Sequence, residues 1–509
     1  MAKSDELQQK KLKRFLERRH PEYKDTLTHW EFLESCYEGG RAWFSKNIFR
    51  YIKEGDVEFT DRVSRAYRFN HTREVVDLVD KHLFKQAVAR SEDAPASVKK
   101  FWEKATLNKL GIKDFMRRVS SKSSILGRVW IVVDNTHSNG VVSVAEARQT
   151  DSRTYAYVVT PKHVLDMSYD KQGGLNWILI HEQVREDEDP LESSGDMVNR
   201  YRLWTQNEWT LFTARSDGRK VVVEQDGPYE HGLGVVPVFP ADNVISDELY
   251  VAPALIDDIA YLDRAVSNYL SNLDAIIQDQ TFSQLAMPAQ GIAPGEDGHD
   301  KLIDMGTKRI FTYDGEGGAA PFFLSPDVKQ AQLILSVVNK IIGEIYHTVG
   351  LAGERTKDDN SQGIDNSSGV AKAYDFERVN SLLAAKADSL EVIENKLAWM
   401  VAKWNGEEKQ LEGRRAVSYP DDFDVRGLHD EFEIAARLAL IESPDSVRRR
   451  QMETVIDKLF PQLKKELRDK MIAELKNWPP EIDLLGDPQG SNPIKAEGKN
   501  SLANRLVKS

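Results

Sequence analysis

Three long stretches with helical apolar spacing, separated by one compact insertion and one polar loop, constrain this chain more than any short motif. Ser246 with Asp247 and Glu248 reads as an N-cap followed by acids that suit the helix dipole. Pro253 then predicts a kink or a restart. From Leu255 the apolar set is Leu255, Ile259, Leu262, Val266, Tyr269/Leu270, Leu273 and Ile276/Ile277, in alternating steps of four and three, and predicts a helix to about Phe282. Residues 283–324 interrupt it with short apolar pieces at 284–287, 309–313 and 321–324 between Gly-, Pro- and Asp-rich turns, which predicts a small α/β insertion. Ser325-Pro326-Asp327 opens a second helix. This helix carries one row at Ile334, Val338, Ile341 and Ile345, another at Leu335, Ile342 and Val349, and a stop at Gly350. After the polar residues 351–368, a third helix from Gly369 holds Phe376, Val379, Leu383, Leu390, Ile393, Leu397, Met400 and Trp404 in heptad-like order and ends at Asn405-Gly406. Helices with two apolar rows need partners on both flanks, and copies of the same chain in a ring or bundle would provide them.

The flanking sequence is of two kinds. Residues 7–20 form a polar, basic helix or arm, with seven Lys/Arg from Lys3 onward against three acids. A helix over 28–37 closes at Gly39-Gly40. Helical spacing resumes over 59–85 with a break near Asn70, and 97–107 reads as a further polar helix. The period then becomes strand-like at 128–134, 154–160, 175–184, 200–205, 208–213, 219–225 and 234–239. Turns at Gly173-Gly174, Gln206-Asn207 and Asp217-Gly218 separate them, and the acidic run 186–192 reads as a solvated loop. Beyond the third long helix come a strand at 416–419 and helices near 428–440, 443–459 and 461–477. The fold class is therefore α+β, mainly helical, with two to four folding units expected for 509 residues.

Composition excludes several classes. With 69 Lys+Arg against 81 Asp+Glu the net charge is −12, which argues against a surface that grips nucleic acid or anionic membrane throughout. The single cysteine, Cys36, rules out an internal disulfide framework and a thiolate metal cage within one chain. No apolar run is long enough to span a bilayer, and the charged first twenty residues lack a signal-peptide core, so a soluble protein made in a cytoplasm is expected. Phosphate-loop, dinucleotide, zinc-protease and nucleophile-elbow motifs are missing. A calcium loop from Asp358 fails at its twelfth position, which is Gly369. Neither an enzymatic centre, nor a metal, nor a cofactor is expected.

Five segments, in their order along the chain, resemble tailed-bacteriophage portal proteins, the head-to-tail connectors. They are YEGGRAWF at 37–44 with the helical run 60–85, LSNLDAIIQD at 270–279, the SGVAK start and long helix within 367–404, and SPDSVRRRQMETVIDKLFP from 443. The resemblance implies a portal fold. Its β-rich wing would comprise 1–246 and 369–425, with stem helices at 247–282 and 326–349. The clip would be a small α/β unit at 283–325, the tunnel loop 350–368, and the helical crown 426–509. It further implies a homo-dodecamer at one capsid vertex of the virion, assembled in the host cytoplasm. Double-stranded DNA would enter and leave through the ring during packaging and ejection. Terminase, a head-tail adaptor, and the major capsid and scaffolding proteins would be its partners.

Under that resemblance, the candidate channel residues are Arg355, Lys357, Asp358 and Asp359 in the tunnel loop and Arg264, Asp274 and Asp279 in the stem. The stem acids Asp247, Glu248, Asp257, Asp258, Asp263, Asp274 and Asp279 would together form a wall that repels phosphates, since basic contacts would oppose sliding. The candidate docking residues are the clip acids Glu296, Asp297, Asp300 and Asp314. Phe311, Tyr313, Phe322 and Phe323 would be apolar anchors or clip core. Another oligomeric neck protein, and a metal-dependent nucleic-acid enzyme using the scattered carboxylates, are the competing functions; neck adaptors are generally much shorter.

Overall fold

A computed structural model describes residues 2–136, 153–187, 189, 191, 193–217, 220–281, 284–288, 310–313, 320, 322–324, 328–351, 369–421, 423, 444–459 and 465–475. They divide into two units, Met1–Val425 and Arg426–Ser509.

The first unit opens with helices α1 (Ala2–Leu16), α2 (Pro21–Glu38), α3 (Arg41–Asn47), α4 (Asp56–Arg65) and α5 (His71–Leu83). Pro21 occupies the first turn of α2, and Gly39, at φ +67°, closes it. The expected break near Asn70 is real. Asn70 caps α5, its side chain accepting a hydrogen bond from the Arg73 N–H. Strand β1 (Ala89–Arg90), α6 (Ala96–Glu103) and α7 (Ile112–Leu126) follow.

Strands β2 (Arg128–Asn135), β3 (Thr154–Val159), β4 (Val164–Tyr169), β5 (Leu175–Arg185), β6 (Met197–Thr205), β7 (Glu208–Asp217), β8 (Lys220–Glu230) and β9 (Val238–Asp242) form two sheets. In the order β3-β2-β9, the central β2 runs antiparallel to both neighbours. Its unbroken apolar run Val129–Val133 is fully buried, as a strand covered on both faces requires. The other sheet is the antiparallel meander β4-β5-β6-β7-β8. Gly127, between α7 and β2, has φ +78°, and a Cβ there would lie 1.8 Å from the Ala252 carbonyl oxygen, so only glycine fits.

Three long elements follow. Helix α8 (Asp257–Thr281) leads to strands β10 (Gln284–Pro288), β11 (Ile310–Tyr313) and β12 (Phe322–Leu324), then to α9 (Val328–Thr348) and α10 (Gly369–Trp404). In the small sheet β10 is central, parallel to β11 and antiparallel to β12, and the three strands fall on the three apolar pieces of the insertion. Helix α10, about 54 Å long at 1.5 Å per residue, packs on β2, β9, α5, α6 and α7. Strand β13 (Val417–Ser418) pairs with β1. The second unit contains α11 (Asp445–Leu459) and α12 (Lys465–Leu475), which contact each other. The expected helix at 428–440 lies outside the described residues. The molecule is thus mixed helix and sheet, an α+β protein.

Three local expectations change. The helix expected from Ser246 does not form there. The Ser246 hydroxyl accepts from the Glu248 N–H in a local turn, and the helix starts at Asp257, whose carboxylate accepts from the Ala254 N–H at 2.8 Å. Helix α7 and strand β4, which no periodicity announced, are both present and largely buried. Among the described residues no helix is long and apolar enough to cross a membrane.

Candidate channel and docking elements

Helix α8 packs against α9, with Ile259, Val266, Leu270 and Leu273 buried on α8 and Val338, Ile342 and Ile345 buried on α9. A polar seam runs beside these apolar contacts and fixes α8 to the helices before the sheets. Asp263, wholly buried, takes a 2.6 Å ion pair from Arg68 and hydrogen bonds from the Thr72 N–H and hydroxyl. One turn on, Asn268 donates to the Asn47 carbonyl and accepts from the Phe49 N–H. Arg62 then donates to the Ser271 hydroxyl while gripping both oxygens of Glu54. Arg65 reaches Asp274 at 3.3 Å.

The far end of α9 is held as firmly. The Tyr346 hydroxyl donates to Glu74 and lies 3.0 Å from Nδ1 of His71. Arg378 of α10 donates to Nε2 of His347 at 2.9 Å and to its carbonyl at 3.1 Å. Gly350, at φ +72°, lets the α10 backbone approach: a Cβ there would stand 3.2 Å from that of Arg378. The C-terminal end of α9 is therefore joined to α10 nine residues into that helix.

Midway along α10, Lys386 is buried, with its three ammonium protons directed at the Ser120 carbonyl, the Ser124 hydroxyl and Asn243 Oδ1, at 3.2, 2.7 and 2.8 Å. Ser120 in turn donates to Asp80. Burial pushes the Lys386 ammonium down to about 8, against the pull of Asp80. Burial pushes the Asp80 carboxyl up to about 6, against Lys386 and the Ser120 hydrogen bond. Sequence reading passed over both, although Lys386 falls in the gap between Leu383 and Leu390 of an otherwise apolar heptad row.

Among the described residues, no group of His, Cys, Asp and Glu could hold a metal ion. What the geometry offers is two tied helices with a small sheet between them in sequence, and a long helix anchored along its length. The family model for phage portal proteins of the SPP1 Gp6-like type matches residues 16–408. The chain belongs to this portal family. It is accordingly a structural protein and not an enzyme. Two solved structures align with it at 10% identity. One, titled "Virion of native gene transfer agent (GTA) particle", has a TM-score of 0.37 and covers 80% of this chain and 96% of its own. The other, titled "Neck of empty GTA particle computed with C6 symmetry", has a TM-score of 0.35 and covers 79% and 95%. A comparison with curated proteins finds no match.

In this portal protein the candidate residues are differently placed. Arg264 lies under aromatic rings, its guanidinium carbon 4.6, 5.1 and 5.0 Å from the ring centres of Phe32, Phe49 and Tyr261. Asp274 is engaged by Arg65 and by Gln278. The picture of seven acids forming one repelling wall needs correction. Asp263 is buried against Arg68, Asp257 pairs with His29 at 2.8 Å, and Asp247 and Glu248 precede the helix. Arg355, Lys357, Asp358, Asp359, Glu296, Asp297, Asp300 and Asp314 lie outside the described residues, as does the side chain of Asp279.

Proposed function

We propose that the chain assembles into a dodecameric ring at one vertex of a phage capsid, and that double-stranded DNA passes through its centre during packaging and ejection. The observation that carries this is membership of the portal family over residues 16–408. In this reading 1–246 and 369–425 form the wing, 247–282 and 326–349 the stem, 283–325 the clip, 350–368 the tunnel loop and 426–509 the crown. Leu333 and Leu335 on α9 and Ile277 on α8 support it. They are exposed apolar side chains on helices whose opposite sides are already packed, so they suit a neighbouring copy.

The tunnel loop lies in the chain between the clasped residues His347 and Arg378, and its bases Arg355 and Lys357, beside Asp358 and Asp359, are the candidates for transient phosphate contact. The clip, carried between α8 and α9 away from their anchored ends, is the candidate docking platform for terminase and then for the head-tail adaptor. Glu296, Asp297, Asp300 and Asp314 would form its polar rim, and rim charges chiefly steer association. The protein would also meet the major capsid and scaffolding proteins, in the virion and, before that, in the host cytoplasm where the capsid is built. The combined variant Glu296→Lys, Asp297→Lys, Asp300→Lys should form assemblies of wild-type mass yet package DNA more slowly with terminase, most of all at low salt. Wild-type packaging rates across the salt range would place docking elsewhere.

A further inference from the structure

The ring and channel leave the charge on α1 unused. Within 10–19 stand Lys10, Lys11, Lys13, Arg14, Arg18 and Arg19 against the single acid Glu17, in a chain whose net charge is −12. Nearly all of α1 precedes residue 16, where the family match begins. One face of the helix is fixed to the five-stranded sheet. Leu16 is buried, and Phe15 meets Trp177 and Phe212 edge-on with ring centres 6.2 Å apart. The Gln9 amide also pairs with the edge strand β8, donating to the Val223 carbonyl at 2.8 Å and accepting from its N–H at 3.1 Å. That docking turns Lys10, Lys11, Arg14, Glu17 and Arg18 outward.

Lys11 and Arg14 have no ion-pair or hydrogen-bond partner among the described residues. Arg18 is steadied by Asp166 at 2.5 Å and by the Trp177 ring at 5.4 Å, yet its side chain stays 59% exposed. With Phe15 and Glu17 these three bases line a shallow cavity of about 620 Å³. Lys11 and Arg14 stand about one turn apart on the helix, and Arg18 follows two residues past its end at Leu16, a spacing that suits a short run of phosphates on one DNA strand. Between positions 10 and 18 the outer face presents no exposed apolar or aromatic anchor of the kind a protein interface needs at its centre; exposed Leu7 lies a turn earlier.

We propose that α1 and the turn that follows it bind the phosphate backbone of double-stranded DNA through Lys11, Arg14 and Arg18, independently of sequence and of ring formation. The test is fluorescence anisotropy of a labelled duplex with the full chain, from about 50 to 200 mM salt. Wild type should show affinity that falls with salt. Lys11→Glu with Arg14→Glu should bind about tenfold or more weakly at the lowest salt, with a log–log slope shallower by about 2, the loss of two phosphate contacts. Lys11→Gln with Arg14→Gln should give the same slope change with a smaller loss of affinity. This milder pair decides the matter if the reversal alters the assembly mass measured in parallel by light scattering. Equal affinity and slope in wild type and the milder pair would overturn the proposal, as would salt-independent binding. A tighter, variant-sensitive hold on labelled polyglutamate than on the duplex would assign the face to an acidic protein and overturn it too.

Discussion

Asp263 and Lys386 are charges at positions where their helices would otherwise continue an apolar seam, and each is matched by partners from distant sequence. Removing Asp263 leaves Arg68 buried beneath Trp43, whose ring centre is 4.2 Å from the guanidinium, with its charge uncompensated. Asp263→Ala should therefore cost about 3–5 kcal/mol in denaturant unfolding, the range for breaking a buried pair from one side. The Asp80–Lys386 pair makes a prediction about pH. Asp80, raised from 3.8 to about 6 in the fold, contributes stability that is present below its unfolded value and lost as pH rises through 6. Lys386, lowered from 10.5 to about 8, contributes stability that is present above its unfolded value and lost as pH falls through 8. Asp80→Asn should flatten the stability profile between about pH 4 and 6, and Lys386→Met between about 8 and 10.5, by roughly 3 kcal/mol across each window. Urea unfolding at stepped pH measures both. A wild-type slope retained in either variant would contradict the assignment of that window.

At the scale of elements, the exposed leucines of α9 decide whether the α8–α9 pair is complete in one chain. Leu333 is 66% and Leu335 45% exposed, while Val338, Ile342 and Ile345 one and two turns on are buried. Burying each leucine against a neighbour is worth about 1.5–3 kcal/mol. Leu333→Glu with Leu335→Glu should shift sedimentation from the assembled species toward single chains while circular dichroism stays unchanged. An unchanged sedimentation profile would mean that α9 is not an interface. Much of this element structure could be read in advance, because it rests on local signals: hairpin turns between strands, a helix break near Asn70, and three apolar pieces in the insertion that became β10, β11 and β12. Helix α7 was missed because Ser120, Ser123 and Ser124 occupy core positions there. No apolar scale marks a serine as interior when its reason for burial, the Lys386 ammonium, lies on a helix more than 260 residues away. The false helix start at Ser246 has the opposite cause: a cap residue closed a turn, and Pro253 and the Gly127 contact then kept the chain out of a helix until Asp257. The resemblance implied a wall of α8 acids, yet long-range pairing engages Asp257, Asp263 and Asp274.

The whole molecule joins a large unit, in which sheets, α8–α9 and α10 share one apolar core, to a second helical unit. Its portal membership comes from the family match, and its α+β class from the elements themselves. The functional object proposed for this chain is a closed ring of copies around a passage for DNA. Cryo-electron microscopy of the purified full chain at micromolar concentration tests it most directly. The account predicts top views with rotational symmetry, a central opening wide enough for a duplex, and a mass that is a large multiple of 57.8 kDa. A monodisperse single chain with its stem helices fully formed would contradict it.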